Sequence, residues 1–138
     1  MTTPDLFCQI TRGDLDAAVV TRTDEFIAFL DHRPVFPGHV LIAPLVHVET
    51  MLDLPDELKA PLLTLAQRVA RALAEVTGCQ GTFVAMNNVI SQSVLHLHLH
   101  VVPRTKGDGL RGFFWPRTTY AEGEAEELAG QLAAAVVT

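Results

Sequence analysis

The sequence predicts an α+β fold: one domain with a five-stranded, mainly antiparallel sheet, one long amphipathic helix and a C-terminal helix. Three observations predict it. Apolar segments of strand length are separated by turn residues at hairpin spacing. Leu58, Leu62, Leu65, Val69, Leu73 and Val76 recur at three- and four-residue steps. His96-Leu97-His98-Leu99-His100 alternates with the period of a strand.

Taken in order, Leu6, Phe7 and Ile10 form an apolar cluster that fits one helical turn, and Thr11-Arg12-Gly13-Asp14 reads as a turn. Ala17 to Thr21 and Glu25 to Asp31 read as strands joined by a hairpin at Arg22-Thr23-Asp24. Phe26, Ala28 and Leu30 alternate with Ile27, Phe29 and Asp31, so the second strand is apolar on both faces and should be buried on both. Arg33-Pro34-Val35-Phe36-Pro37-Gly38-His39 is a stiff loop, because each proline fixes its own φ and restricts the residue before it. Val40 to Ala43 is a third strand. Asp53-Leu54-Pro55-Asp56-Glu57 opens the long helix, with Asp53 as its cap and acids at the positive end of the dipole. Gly78 stops it. Thr82 to Met86 is a fourth strand, and the histidine segment is the fifth. Lys106-Gly107-Asp108-Gly109 is a turn, Gly112 to Arg117 an aromatic loop, and Glu122 to Val137 an alanine-rich helix.

A chain of 138 residues fits one domain with a substantial core. Hydrophobic residues make up 49% and charged ones 19%, the balance of a soluble globular protein. A net charge of −6 argues against sequence-independent nucleic-acid binding. Two cysteines, Cys8 and Cys79, make no disulfide framework and suit a reducing cytoplasm. Residues 1–5 show no signal peptide, and no apolar run reaches membrane-spanning length, so no membrane partner is expected.

The histidine wall admits three readings. Same-face neighbours on a strand are roughly 6.5–7 Å apart, which spreads three imidazoles too far for one metal ion unless other ligands fold in. A purely structural role would leave many polar atoms to satisfy. The third reading is nucleophilic catalysis. A neutral imidazole attacks well near pH 7 when one ring nitrogen is held by an acceptor. Donors just upstream, Gln92 and Ser93, fit the charge that grows on phosphoryl oxygens.

His96-Leu97-His98-Leu99-His100-Val101-Val102 resembles in full the signature of the histidine-triad (HIT) family, in which histidine alternates with apolar residues. Gln92-Ser93-Val94 resembles the run that precedes it in that family, and Phe29 to Leu41 resembles its N-terminal block. The likeness is to nucleotide hydrolases of the Hint/Fhit type and runs from about Phe7 to Arg104. It implies a HIT-like fold with a core at about 5–104 and a variable C-terminal extension over 105–138. It implies a homodimer acting on a purine nucleotide.

The resemblance also implies roles. His98 would attack the α-phosphorus of a nucleoside polyphosphate or phosphoramidate and form a nucleotidyl-histidine, which water then releases as a nucleoside monophosphate. His96 and His100 would position it and contact phosphate oxygens, with His39 in the same pocket. Gln92 and Ser93 would hold the leaving group and bridging oxygen. Asn88, with Asn87 as rival, would contact phosphate. Asp31 would bind ribose hydroxyls, and Phe7, Ile10, Phe29 and Leu30 would line the base pocket. No cofactor is needed for this chemistry, and no metal is assigned to the site. Relatives with a structural zinc hold it at positions matching Asp5, Cys8, His47 and His96, where Asp5 replaces a cysteine; that zinc stays open here. So do a transferase or phosphorylase using the same intermediate, and a non-catalytic nucleotide sensor. Histidine rather than glutamine at position 100 favours hydrolysis. The segment Phe113 to Arg117 would shape leaving-group specificity or the dimer surface.

Overall fold

The computed structural model describes residues 5–110 and 117–136, in two compact units that meet in sequence at Asp108 and Gly109. The first unit carries helix α1 (Leu6–Thr11), strands β1 (Val19–Arg22), β2 (Phe26–Leu30) and β3 (Val40–Pro44), helix α2 (Asp56–Thr77), and strands β4 (Gly81–Ala85) and β5 (Leu99–Arg104). The second carries α3 (Glu124–Ala135), somewhat shorter than the alanine-rich run predicts. Phe113 to Pro116 lie outside the described residues.

The five strands form one sheet in the order β1-β2-β3-β5-β4, antiparallel throughout. β2 is buried on both faces, as its two-sided apolar pattern predicts. Phe26 and Ala28 join Val40, Ile42, Leu99 and Val101 beneath α2. Ile27 and Phe29 join Leu41, Ala43, Phe7 and Ile10 beneath α1. The register Phe29↔Leu41 and Leu30↔Val40 then fixes where Asp31 and His39 emerge, and Asp31 N–H donates to the His39 carbonyl at 2.9 Å.

α2 begins after Pro55, with Asp56 and Glu57 in its first turn, and ends on Gly78 at φ +73°. Asp53 does not cap it. Its carboxylate is taken by Thr50 in a reciprocal capping box that closes a 3₁₀ turn over Met51–Asp53. Leu62, Leu65, Val69 and Leu73 are buried, whereas Val76 in the last turn is 82% exposed at the rim of an open groove. Gly38 is required twice over. Its φ is +101°, and a Cβ there would sit 3.2 Å from the Leu73 side chain. Only glycine lets the loop before β3 close on α2 and deliver His39 to the sheet.

The ladder of β5 starts at Leu99, three residues later than the alternation predicts. His96 and His98 lie in the extended lead-in, where Leu97 N–H donates to Val48 O. The alternation still sorts the faces. Leu97, Leu99 and Val101 enter the core under α2, while the His96 and His98 rings meet Phe7 edge-on.

Candidate active site and an adjoining four-residue cluster

The alternating histidines divide between two clusters. The first gathers His39, His98, His100 and Asp31. Val35 N–H donates to His39 Nδ1 at 3.1 Å, so the neutral ring carries its proton on Nε2. That Nε2 lies 2.9 Å from His100 Nδ1, which therefore accepts. The neutral His100 ring keeps a proton on Nε2. His98 Nδ1 lies 2.8 Å from the His96 carbonyl, an obligate acceptor, so it donates there. The Nε2 lone pair of His98 is left for another task.

The electrostatics agree. Burial lowers the pKa of His98, and His96 adds to the fall against the pull of its own backbone bond and Asp31. Burial lowers that of His39, partly offset by Asp31. Burial, then His98 and His39, push His100 down to about 4. All three are neutral at pH 7. The Asp31 carboxylate accepts from Arg33 N–H at 2.9 Å and lies 3.8 Å from His39 Nδ1.

Beside this cluster opens a cavity of about 460 Å³. Ile10, Phe29, Leu30 and Asp31 line it, four of the residues that the resemblance assigns to the nucleoside. Phe7 stands behind, 5.5 Å from the Phe29 ring and 4.6 Å from that of His98. Leu15, Asp16 and His32 also line it and escaped the sequence reading. Gly13, at φ +81°, turns the chain after α1, and Leu15 to Ala18 then line the same cavity as Leu6 and Ile10 of that helix. A larger cavity of about 590 Å³ lies between α2 and β1, but its wall is apolar apart from Arg68 and a few threonines, and it holds none of the histidines.

The second cluster gathers Asp5, Cys8, His47 and His96, whose donor atoms all lie within 4.8 Å of one another. Asp5 caps α1 by accepting from Cys8 N–H at 2.8 Å. Cys8 Sγ is 3.5 Å from both His47 Nδ1 and His96 Nδ1, and Asp5 oxygens lie 2.8 Å and 3.4 Å from the same nitrogens. Zinc bonds of about 2.0–2.3 Å in a tetrahedron put ligand atoms about 3.3–3.8 Å apart, so most of these spacings match. His96 Nε2 lies 2.8 Å from Pro44 O and donates to it, which turns the Nδ1 lone pair of this fully buried ring toward a carboxylate and a sulfur. A cation would satisfy all four donors at once. Burial and Asp5 raise the Cys8 pKa. Burial alone would raise that of Asp5, but the Cys8 bonds and the two histidines outweigh it and lower it.

The structure places His96 to position His98 through its carbonyl, while its fully buried ring sets Nε2 against Pro44 O and faces Nδ1 toward Asp5 and Cys8. Gln92 is likewise spent on the backbone. Its amide donates to Glu49 O and accepts from Val89 N–H, pinning a loop in which Val89 and Ser91 adopt positive φ. Asn88 accepts from Met51 N–H and lines a different cavity, with Leu63 and Val84. Ser93 and Asn87 are exposed. Arg104 forms a two-pronged ion pair with Asp108.

Comparison with known proteins places this arrangement. The family model described as HIT domain matches residues 12–107. Over 133 residues the chain is 30% identical to adenosine 5'-monophosphoramidase hnt1 of Schizosaccharomyces pombe, covering 95% of this chain and 97% of the relative. A crystal structure of a HIT family member from Bacillus subtilis superposes with a TM-score of 0.87 at 30% identity, covering 99% of both chains. A zinc-bound histidine triad family protein from Mycobacterium smegmatis superposes at 0.73 with 34% identity, covering 94% of this chain and 96% of that one. The chain belongs to the histidine-triad (HIT) family.

Proposed function

We propose that this protein is a nucleotide hydrolase that cleaves nucleoside phosphoramidates or polyphosphates at the α-phosphorus through a nucleotidyl-histidine on His98. One observation carries the reading: the His96 carbonyl holds the Nδ1 proton of His98 at 2.8 Å, leaving the Nε2 lone pair free on a neutral ring. Nε2 attacks phosphorus, and the bond to the leaving oxygen or nitrogen breaks, a leaving nitrogen departing as the amine with a proton taken from solvent. The ring gains positive charge as this happens, and the same Nδ1–H to carbonyl bond strengthens against it. Water then displaces the imidazole and restores the neutral ring. His100, held by His39 so that its Nε2 carries the proton, donates to a phosphoryl oxygen. The cavity beside Asp31 takes the nucleoside, with ribose hydroxyls on the carboxylate. The likeness to a phosphoramidase over nearly the whole chain supports a phosphoramidate substrate.

Asp5, Cys8, His47 and His96 would hold a structural zinc, which fastens α1 to the segments after β3 and before β5. The zinc-bound relative supports this, and so does the convergence of four donors on one point. β4 is an edge strand, and Val84 on it stands exposed beside exposed Met51 and Leu63. That patch suits a homodimer joined edge to edge, and sedimentation as a single chain at micromolar concentration would rule it out. Free Cys8 and Cys79 suit a cytoplasmic setting.

The test is turnover of a panel of adenosine and guanosine phosphoramidates and dinucleoside polyphosphates, followed by release of nucleoside monophosphate. Release from at least one is expected. Binding without turnover of any would favour the nucleotide sensor, and transfer to added phosphate in preference to water would favour the phosphorylase.

A further inference from the structure

The nucleoside cavity is apolar along Leu6, Ile10, Leu15, Phe29 and Leu30, yet two carboxylates line it. Asp31 has a defined place: it accepts from Arg33 N–H and stands near His39, at the cavity's border with the histidines. Asp16 has a different setting. It sits on the segment that returns from α1 past β2, fixed where Leu30 N–H donates to Ala18 O at 2.9 Å. Among the described residues no lysine or arginine lines the cavity, and its one imidazole, His32, lies 3.9 Å from Asp31 rather than being paired with Asp16.

We propose that Asp16 selects the base, and that the preferred nucleotide is a guanine nucleotide. This deepens the nucleotide-hydrolase reading and rests on it. An ionised carboxylate accepts hydrogen bonds and donates none. The Watson–Crick edge of guanine offers two adjacent donors, N1–H and the N2 amino group, which match the two carboxylate oxygens. Adenine offers one amino donor next to N1, whose lone pair repels a carboxylate. Hypoxanthine keeps N1–H and lacks the amino group. The apolar wall stacks any purine without choosing between them, so the choice falls to the polar groups on the wall; Asp31 is engaged by Arg33 N–H and stands near His39, which leaves Asp16 as the carboxylate for the base.

The experiment is titration calorimetry of the full chain with GMP, IMP, AMP and dGMP, for wild type, Asp16→Asn and Asp16→Ala. Asp16 is exposed, so neither substitution should unfold the protein, and a melting curve checks this. Wild type is expected to bind GMP at least tenfold more tightly than AMP, with IMP between. Asp16→Asn and Asp16→Ala should bring the GMP to AMP ratio close to one, chiefly by weakening GMP. Equal wild-type affinity for GMP and AMP overturns the inference and leaves the hydrolase reading standing. So does a substitution that changes the GMP to dGMP ratio instead, because Asp16 would then be reading ribose. Failure to bind any of the four overturns the nucleotide reading and this inference with it.

Discussion

His96 and His98 are two residues apart and both lie against Phe7; their surroundings nevertheless give them opposite chemistry. The His96 ring donates from Nε2 to Pro44 O and turns Nδ1 toward Asp5 and Cys8. The His98 ring donates from Nδ1 to the His96 carbonyl and keeps Nε2 free. In each case a backbone carbonyl chooses the tautomer, and the tautomer chooses the task. The cluster around Cys8 turns a carboxylate, a sulfur and two ring nitrogens toward one point, which suits a cation. The cluster around His100 is a relay of neutral rings whose protons all have a fixed direction, which suits phosphoryl chemistry.

The widest contrast between the clusters should come from alanine at each histidine. His98→Ala is expected to lower kcat/KM on a phosphoramidate by about 10⁴-fold or more, with a smaller loss of stability than His96→Ala, because it leaves the four-donor cluster around Cys8 intact. His96→Ala should do its main damage to the fold. It empties a fully buried position and orphans the Pro44 carbonyl, for a loss of about 3 kcal/mol in chemical denaturation. It should also strip zinc, measured by elemental analysis, which His98→Ala should retain at one per chain. Equal zinc loss in both variants, or a stable His96→Ala protein with full zinc, would erase the distinction.

A smaller effect should appear on acidification. His100 has its folded pKa at about 4, and that of His39 is also lowered from the ordinary value. In both, the unfolded chain binds the proton first as pH falls. Stability is therefore full above the ordinary imidazole range near 6.5 and declines as pH drops toward 4. For His100 the loss is concentrated between pH 6.5 and pH 4. Melting temperature against pH should show it, and His100→Asn should flatten the slope over that window. A pH-independent melting temperature in wild type would mean that His100 is not held neutral.

Much of this was legible in the residues. The spacing of Leu62, Leu65, Val69 and Leu73 marks the buried face of α2, and Gly78 its end, because both depend on helix geometry alone. The alternation of His96 to Val101 sorts histidines from core residues, even though ladder pairing begins only at Leu99. His39 reaches the triad because the proline-rich loop and Gly38 leave it little choice. The fates of His96 and Gln92 were not legible. Each depends on a carbonyl more than forty positions away in sequence, Pro44 for one and Glu49 for the other, and no local pattern announces such a partner. Asp16 was missed for a related reason, since its place in a cavity wall comes from how the chain returns over α1.

Whether His98 carries the nucleotide is read by intact-protein mass spectrometry after a fast, acid-free quench, during turnover of a slow phosphoramidate. A mass gain of one nucleoside monophosphate unit is expected, mapped by peptide analysis to His98 and absent from His98→Ala. An adduct mapped to His96, His100 or His39, or one that persists in His98→Ala, would contradict it.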